Sequence, residues 1–112
     1  MAQIDWVPAS EGGRSSGVPS APVYAAICVF DLGDEAAVQP GWPATADLVL
    51  SILIQEISRP RPAHSVARIG FLAPHLAEPY IRTGNRIVVM EGRRIVAHAT
   101  ITEILPHKSA DI

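Results

Sequence analysis

The sequence predicts an all-β domain on two observations. Ten prolines and eight glycines divide the 112 residues into short apolar runs, which is the spacing of a small β domain. Two glycine turns, Glu11-Gly12-Gly13-Arg14 and Glu91-Gly92-Arg93-Arg94, border such runs near the two ends of the chain. Because glycine adopts a positive φ without steric cost, a turn of this kind indicates a chain reversal. The length is that of one domain that can fold without disulfide bonds or a structural metal ion.

Two strands are expected before residue 31. Ala2–Val7 alternates between apolar and polar side chains, as a half-buried strand does. Val23–Phe30 is apolar on both faces, which is typical of a strand that is covered on two sides. The segments 14–22 and 31–43 are rich in glycine, proline and polar residues, so both are predicted to be loops.

The segment Asp47–Ile57 fits two structures. Thr45 is a suitable helix cap, and Leu48 and Ile52 would share one helical face. Four β-branched residues and a second apolar pattern at period two favour a strand instead. We predict a strand here.

The run Arg59-Pro60-Arg61-Pro62 is expected to be a surface connection outside any central strand or helix, because proline lacks an N–H to donate. A loop bracketed by Pro74 and Pro79 and a C-terminal tail over residues 106–112 are expected further on. The last three strands are predicted at Val66–Leu72, Arg86–Met90 and Ile95–Leu105.

In combination, the two glycine turns resemble the C-terminal, third β-barrel of elongation factor Tu and related translational GTPases. The opening strand, the Glu11–Arg14 turn and the proline-containing stretch Val18–Pro22 follow the family's first hairpin. Asn85–Ala97 follows its closing hairpin and final strand. The resemblance implies a single closed antiparallel barrel of about six strands over residues 1–105, occurring as a free-standing small bacterial protein.

Two departures from the family pattern limit what the resemblance implies. Arg93 replaces the family's second glycine, and His98 occupies a small-residue position of the last strand. The sequence also lacks the Gly-x-x-x-x-Gly-Lys-Ser/Thr phosphate loop on which the family's nucleotide chemistry depends. GTP hydrolysis is therefore not implied. What remains is the family's use of this barrel as a docking surface for proteins and for the backbone of transfer RNA.

No catalytic or cofactor-binding pattern is recognisable, so we expect a protein that is not an enzyme and needs no cofactor. Cys28 lies in an apolar run, where a free cysteine acts as a small core residue. The four histidines lack the spacing of metal ligands. Ser51, His75 and Asp47 allow a triad on paper, but no strained nucleophile turn supports it.

The candidate partner-binding residues are four arginines, one carboxylate and one tryptophan. The arginines lie around the closing hairpin, near which the resemblance places RNA-backbone contacts. Trp42, in a Pro-Gly-Trp-Pro loop, is either a core residue or a partner anchor, whereas Trp6 alternates in phase with Ile4 and is predicted to be core. The full set is Arg82, Arg86, Glu91, Arg93, Arg94 and Trp42.

Charge is uneven along the chain, with a net charge of −6 over residues 1–58 and of +4 over residues 59–112. The whole chain lacks the basic excess of a strong nucleic-acid binder. We therefore predict a non-catalytic interaction module that binds a protein. The alternative is an RNA-binding accessory factor that acts on transfer RNA or the ribosome.

Location is predicted to be cytoplasmic, with no membrane partner. The single cysteine fits a reducing compartment. The first residues show no secretory signal. The longest apolar stretch, Leu48–Ile54, is too short to span a bilayer.

Overall fold

The computed structural model describes residues 1–104, which form six antiparallel strands closed into a barrel. Around the barrel the strands follow the order β1-β4-β3-β2-β5-β6, and β6 pairs back with β1. The predicted all-β closed barrel is thereby confirmed. The expected C-terminal tail, 106–112, and Leu105 lie outside the described residues. The strands are β1 (Ala2–Trp6), β2 (Tyr24–Asp31), β3 (Leu50–Arg61), β4 (His64–Phe71), β5 (Arg86–Glu91) and β6 (Arg94–Ile101).

The barrel interior is filled by alternate side chains of all six strands. In β1 the first, third and fifth residues are buried, and the polar residues between them are exposed. Trp6 is 7% exposed, which confirms its prediction as a core residue. Cys28 is fully buried, and burial raises the pKa of its thiol to about 12. Cys28 is therefore a packing residue, as predicted.

Strand β3 confirms the strand prediction for Asp47–Ile57 from Leu50 onwards. It also corrects the prediction that residues 59–62 form a surface connection outside any strand. The strand continues through Pro60 to Arg61, so the expected surface connection is reduced to the turn at residues 62 and 63. Residues 59–61 are exposed, as expected, but they belong to β3. The pairing of β3 with β4 shifts register on both sides of Ser58. At such an irregularity a proline is tolerated, because no hydrogen bond of the strand pairing requires a backbone N–H at that position.

Short helical turns lie between the strands, most of them in segments that the sequence predicts to be loops. They are α1 (Glu35–Val38), α2 (Pro74–Ala77) and two 3-10 turns at Ala9–Glu11 and Glu78–Tyr80. Helix α1 extends over one turn, in which the amide of Gln39 donates to the carbonyl of Glu35 at 2.8 Å. A helix this short has no apolar periodicity, so the sequence pattern could not reveal it.

Antiparallel pairing divides the connections between the two ends of the barrel. One end, which we call the arginine-rich end, carries the connections 7–23, 62–63 and 92–93. The other end, which we call the flap end, carries residues 32–49, residues 72–85 and residues 102–104. Residues 32–49 are referred to below as the flap.

The flap covers a second apolar cluster on the outside of the barrel. In β2 and β5, Val29, Val88 and Met90 alternate with residues of the interior and are nevertheless buried. Trp42 and Ala46 of the flap pack against them. The β2–β5 region is thus apolar on both faces, which explains the unbroken hydrophobic sequence of these strands.

Candidate interaction surfaces

The structure divides the predicted partner-binding residues between the two ends of the barrel. Arg86 begins β5 opposite Thr100, whereas Glu91 ends it opposite Arg94. The two positions are five residue steps apart along an extended strand, a distance of about 17 Å. Glu91, Arg93 and Arg94 therefore lie at the arginine-rich end, and Arg82 and Arg86 lie at the flap end.

Trp42, the remaining candidate, is half-buried in the flap. One part of the side chain packs on the outer cluster, and another part lines a cavity between the flap and the barrel. The two roles considered for it, core residue and partner anchor, are therefore compatible in this position.

Three arginines at the arginine-rich end were absent from the candidate set. Arg14 comes from the β1–β2 connection, and Arg59 and Arg61 come from the end of β3. The signal for the last two was present, because charged residues between apolar runs are typical of a hairpin tip. The end also carries four carboxylates, so its net charge is only weakly positive: Asp5, Glu11, Glu56 and Glu91.

A first polar network ties the β1–β2 connection to β5. Arg14 donates from Nε to Glu91 Oε2 at 2.8 Å, and the Tyr24 hydroxyl donates to the same oxygen. The Arg14 guanidinium also lies over the Tyr24 ring, 5.2 Å from its centroid. The hydrogen bond from Tyr24, with the help of Arg14, lowers the pKa of Glu91. Burial, followed by the bond to Glu91, raises the pKa of Tyr24.

A second polar network closes the interior beside β3 and β4. Trp6 donates from Nε1 to Ser65 Oγ at 2.9 Å, and Ser65 in turn donates to Glu56 Oε1 at 2.5 Å. Arg59 holds both oxygens of this carboxylate, at 2.9 and 3.1 Å. Hydrogen bonds from Arg59 and then Ser65 lower the pKa of Glu56. The buried indole and hydroxyl are thereby satisfied.

Three other arginines keep their guanidinium groups available at this end. Arg61 and Arg93 have no hydrogen-bond or ion-pair partner among residues 1–104. Arg94 makes one long contact, from Nη1 to the Gly13 carbonyl at 3.4 Å. All three are exposed, on the tips of two hairpins. A free guanidinium fork binds carboxylates and phosphates in a bidentate manner.

A groove of about 420 Å³ lies at the same end, between the β1–β2 connection and the β3–β4 turn. Its walls are largely apolar, with Val18 on one side and Pro62 on the other. Arg14 and Arg59 line it, but both are already engaged with carboxylates. The groove therefore adds a largely apolar concave surface to the end that carries the exposed arginines, and its own two arginines are already paired.

The flap end has the opposite character. Among residues 1–104, two arginines, Arg82 and Arg86, and the N-terminal amine of Met1 lie there with six carboxylates: Asp31, Asp34, Glu35, Asp47, Glu78 and Glu103. Seven of the nine exposed large apolar side chains of the described chain also lie there: Leu32, Val38, Leu48, Val49, Leu72, Leu76 and Ile104. Over residues 1–104 the two ends of the barrel therefore differ in net charge, which is negative at the flap end and weakly positive at the arginine-rich end.

Within residues 1–104, no three histidine, cysteine or acidic side chains are placed to hold a metal ion. His64 contacts Asp5 across the β1–β4 pair, and this contact is a local ion pair when the imidazole is protonated. Over the same residues no helix has the length and apolar character to cross a bilayer.

Comparison with known proteins adds no family to this geometry. No protein-family model matches the chain, and neither a curated protein nor a solved structure matches it. The fold is therefore established here as a six-stranded antiparallel barrel. Function has to be argued from the side chains at its two ends.

Proposed function

We propose that this protein is a non-catalytic interaction module that acts in the cytoplasm and binds a partner protein through the arginine-rich end. The observation that supports the proposal is the set of exposed guanidinium groups of Arg61, Arg93 and Arg94, at the same end as a largely apolar groove. Exposed carboxylates of a partner fit the arginine forks, and an apolar side chain fits the groove. Arginine is also enriched at protein–protein interfaces.

The resemblance to the third barrel of elongation factor Tu also supports the arginine-rich end as the docking surface. Both glycine turns that carry the resemblance, at residues 11–14 and 91–94, lie at the arginine-rich end. That family uses the barrel as a docking surface for proteins. We accordingly propose a related docking role for this chain, without nucleotide chemistry.

RNA is the alternative partner, and the same three arginines are what favours it. Phosphates fit guanidinium forks as well as carboxylates do. Phosphate binding, however, requires several converging cations in a positive field. Five arginines and four carboxylates share this end, and two of the arginines are engaged by Glu56 and Glu91. This near balance favours a protein surface over a phosphate backbone.

Affinity capture of the tagged protein from its own cells, with and without nuclease, tests the proposal. The informative variant is Arg61→Ala/Arg93→Ala/Arg94→Ala. The matched control is Arg82→Ala/Arg86→Ala, which removes the same residue type from the opposite end. We expect a specific protein to be retained after nuclease by the wild type and by the control, and to be lost from the triple variant.

Two other results would contradict this function. Retention by the triple variant would remove the arginine-rich end as the docking site. Recovery of RNA alone, with an affinity that falls steeply with salt and a shallower slope in the triple variant, would establish the RNA alternative.

A further inference from the structure

The flap end contains a cavity of about 140 Å³ that the proposed docking surface does not use. It lies between the flap and the end of β2. Phe30, Trp42 and Tyr80 contribute aromatic surface to its lining, and Glu35 and Asp47 contribute carboxylates. Aliphatic side chains of the flap, Leu32 and Leu48, complete the wall.

The aromatic part of the wall is held in place by packing. The rings of Phe30 and Tyr80 stack at a centroid distance of 5.2 Å and an angle of 30°. Trp42 is held on the other side by its contacts with the outer cluster. The electron-rich faces of such rings attract cations, and tryptophan attracts them most strongly.

The carboxylate part of the wall retains free acceptor capacity. Glu35 uses Oε2 to accept the N–H of Leu32 at 2.8 Å. Its second oxygen and both oxygens of Asp47 have no hydrogen-bond or ion-pair partner in the described chain. Arginine side chains elsewhere in the protein pair with Glu56 and Glu91, but none pairs with these two acids.

We propose that this cavity binds a lysine or arginine side chain from an apolar segment of a partner protein. The carboxylates neutralise the cation, and the aromatic rings cover its alkyl stem and its charged head. The exposed aliphatic side chains of the flap then contact the apolar residues on either side of the basic one. The six carboxylates of the flap end supply the charge complementarity, and they disfavour an anionic lipid surface or a nucleic acid.

This site is separate from the arginine-rich end, since the two lie at opposite ends of the barrel. It does not depend on the function proposed above.

Two-dimensional NMR of the two indole N–H groups tests this site directly. The probe is a short capped peptide with one arginine between leucines, and its matched control replaces the arginine by citrulline, which has the same shape without the charge. We expect a saturable shift of the Trp42 indole signal on addition of the arginine peptide. Trp6 lines the groove at the opposite end of the barrel, so its signal would reveal binding of the peptide there, and we expect it not to move. We expect the citrulline peptide to bind at least ~10-fold more weakly.

Variants locate the effect. Glu35→Gln/Asp47→Asn should abolish the preference for arginine over citrulline, while the amide oxygen of the new glutamine still accepts the Leu32 N–H. Glu78→Gln/Glu103→Gln removes the same amount of charge from the same end but outside the cavity. This variant weakens the electrostatic field of the flap end slightly, so it should preserve most of the preference for arginine. Arg93→Ala/Arg94→Ala should preserve all of it.

Three outcomes would overturn the site: equal binding of the two peptides, no Trp42 shift at ~1 mM peptide, or an unchanged preference in Glu35→Gln/Asp47→Asn. A normal preference for arginine in the Arg93→Ala/Arg94→Ala variant, together with loss of the captured partner, would show that the two ends function separately.

Discussion

The two ends of the barrel are closed by different interactions. At the arginine-rich end, carboxylates of β3 and β5 are bound by Arg59 and Arg14 and connect to buried Trp6 and Tyr24. At the flap end, aromatic and aliphatic side chains close the interior. Within residues 1–104 the carboxylates of this end form no ion pair, and two of them, Asp31 and Glu35, accept backbone N–H groups. The more numerous arginines are therefore partly used for the fold, whereas the acids of the flap end are available for a ligand.

The largest expected effect on stability comes from removing one aromatic side chain at each end of the barrel. Trp6→Ala and Phe30→Ala should each lower the free energy of unfolding by about 3–5 kcal/mol, since both side chains are almost fully buried. Urea denaturation measures the change. Trp6→Phe should be milder, because it keeps most of the ring but removes the donor to Ser65.

The polar network found at the arginine-rich end predicts how much stability Trp6→Phe should lose. If the polar network matters at the arginine-rich end, Trp6→Phe should still cost about 1–2 kcal/mol. If Trp6→Ala unfolds at the same urea concentration as the wild type, Trp6 does not contribute to the core.

An intermediate effect is expected for the flap. Trp42→Ala should cost about 1–2 kcal/mol, because the side chain is half-buried and its loss uncovers Val88 and Met90. Limited proteolysis should then cut within residues 32–49 faster than in the wild type. The control is Val38→Ala, which is 74% exposed and should leave both the stability and the cleavage rate unchanged. Equal cleavage of Trp42→Ala and the wild type would mean that the outer cluster does not hold the flap.

A smaller effect is expected from the two paired carboxylates. Glu56 and Glu91 have a pKa below the ordinary value in the folded state, so they stabilise the fold above about pH 4.3. That contribution disappears as the pH falls through the lowered pKa values. Because both side chains are about a third exposed or more, each should contribute no more than about 1 kcal/mol.

Denaturation at several pH values tests these carboxylates. Glu56→Gln/Glu91→Gln should be less stable than the wild type at pH 7 and should converge with it at low pH. As a matched control, Glu35→Gln/Asp47→Asn at the flap end should leave the free energy of unfolding at pH 7 close to that of the wild type, because neither carboxylate forms an ion pair within residues 1–104. A constant difference between the wild type and Glu56→Gln/Glu91→Gln at all pH values would separate the networks from the ionisation of these acids.

The smallest expected effect on stability is that of the free arginines. Arg93→Ala/Arg94→Ala should change the free energy of unfolding by less than about 0.5 kcal/mol, because both residues are exposed at a turn. A larger loss would mean that the contact of Arg94 with the Gly13 carbonyl holds the β1–β2 connection.

Local pattern predicted the strands well. Each of the six strands overlaps its predicted segment, and even the ambiguous segment at 47–57 is a strand from Leu50 onwards. Barrel closure followed from the resemblance rather than from local pattern, because the pairing of β1 with β6 joins residues that are far apart in sequence. The extension of β3 through Pro60 was missed, since a bulge that accommodates proline leaves no local signal.

The interaction surfaces were harder to predict than the strands. The arginines around the closing hairpin are neighbours in sequence, but an extended strand carries Arg86 and Arg94 to opposite ends. Conversely, Arg61 and Arg93 share an end although β4, α2 and β5 separate them in the chain. The lining of the cavity at the flap end combines residues 29–48 with Tyr80, which is distant from them in sequence. Such a site is set by tertiary packing, which no single-segment pattern contains.

The position of β1 has a consequence for how the chain folds. Its neighbours are β4 and β6, so its contacts form only when residues 64–71 and 94–101 have been brought back to residues 2–6. Until then, β4 and β6 present open edges that another chain can pair with. Such high contact order predicts slow folding, in milliseconds to seconds. Closure of the barrel at β1 therefore depends on two pairings that span most of the described chain.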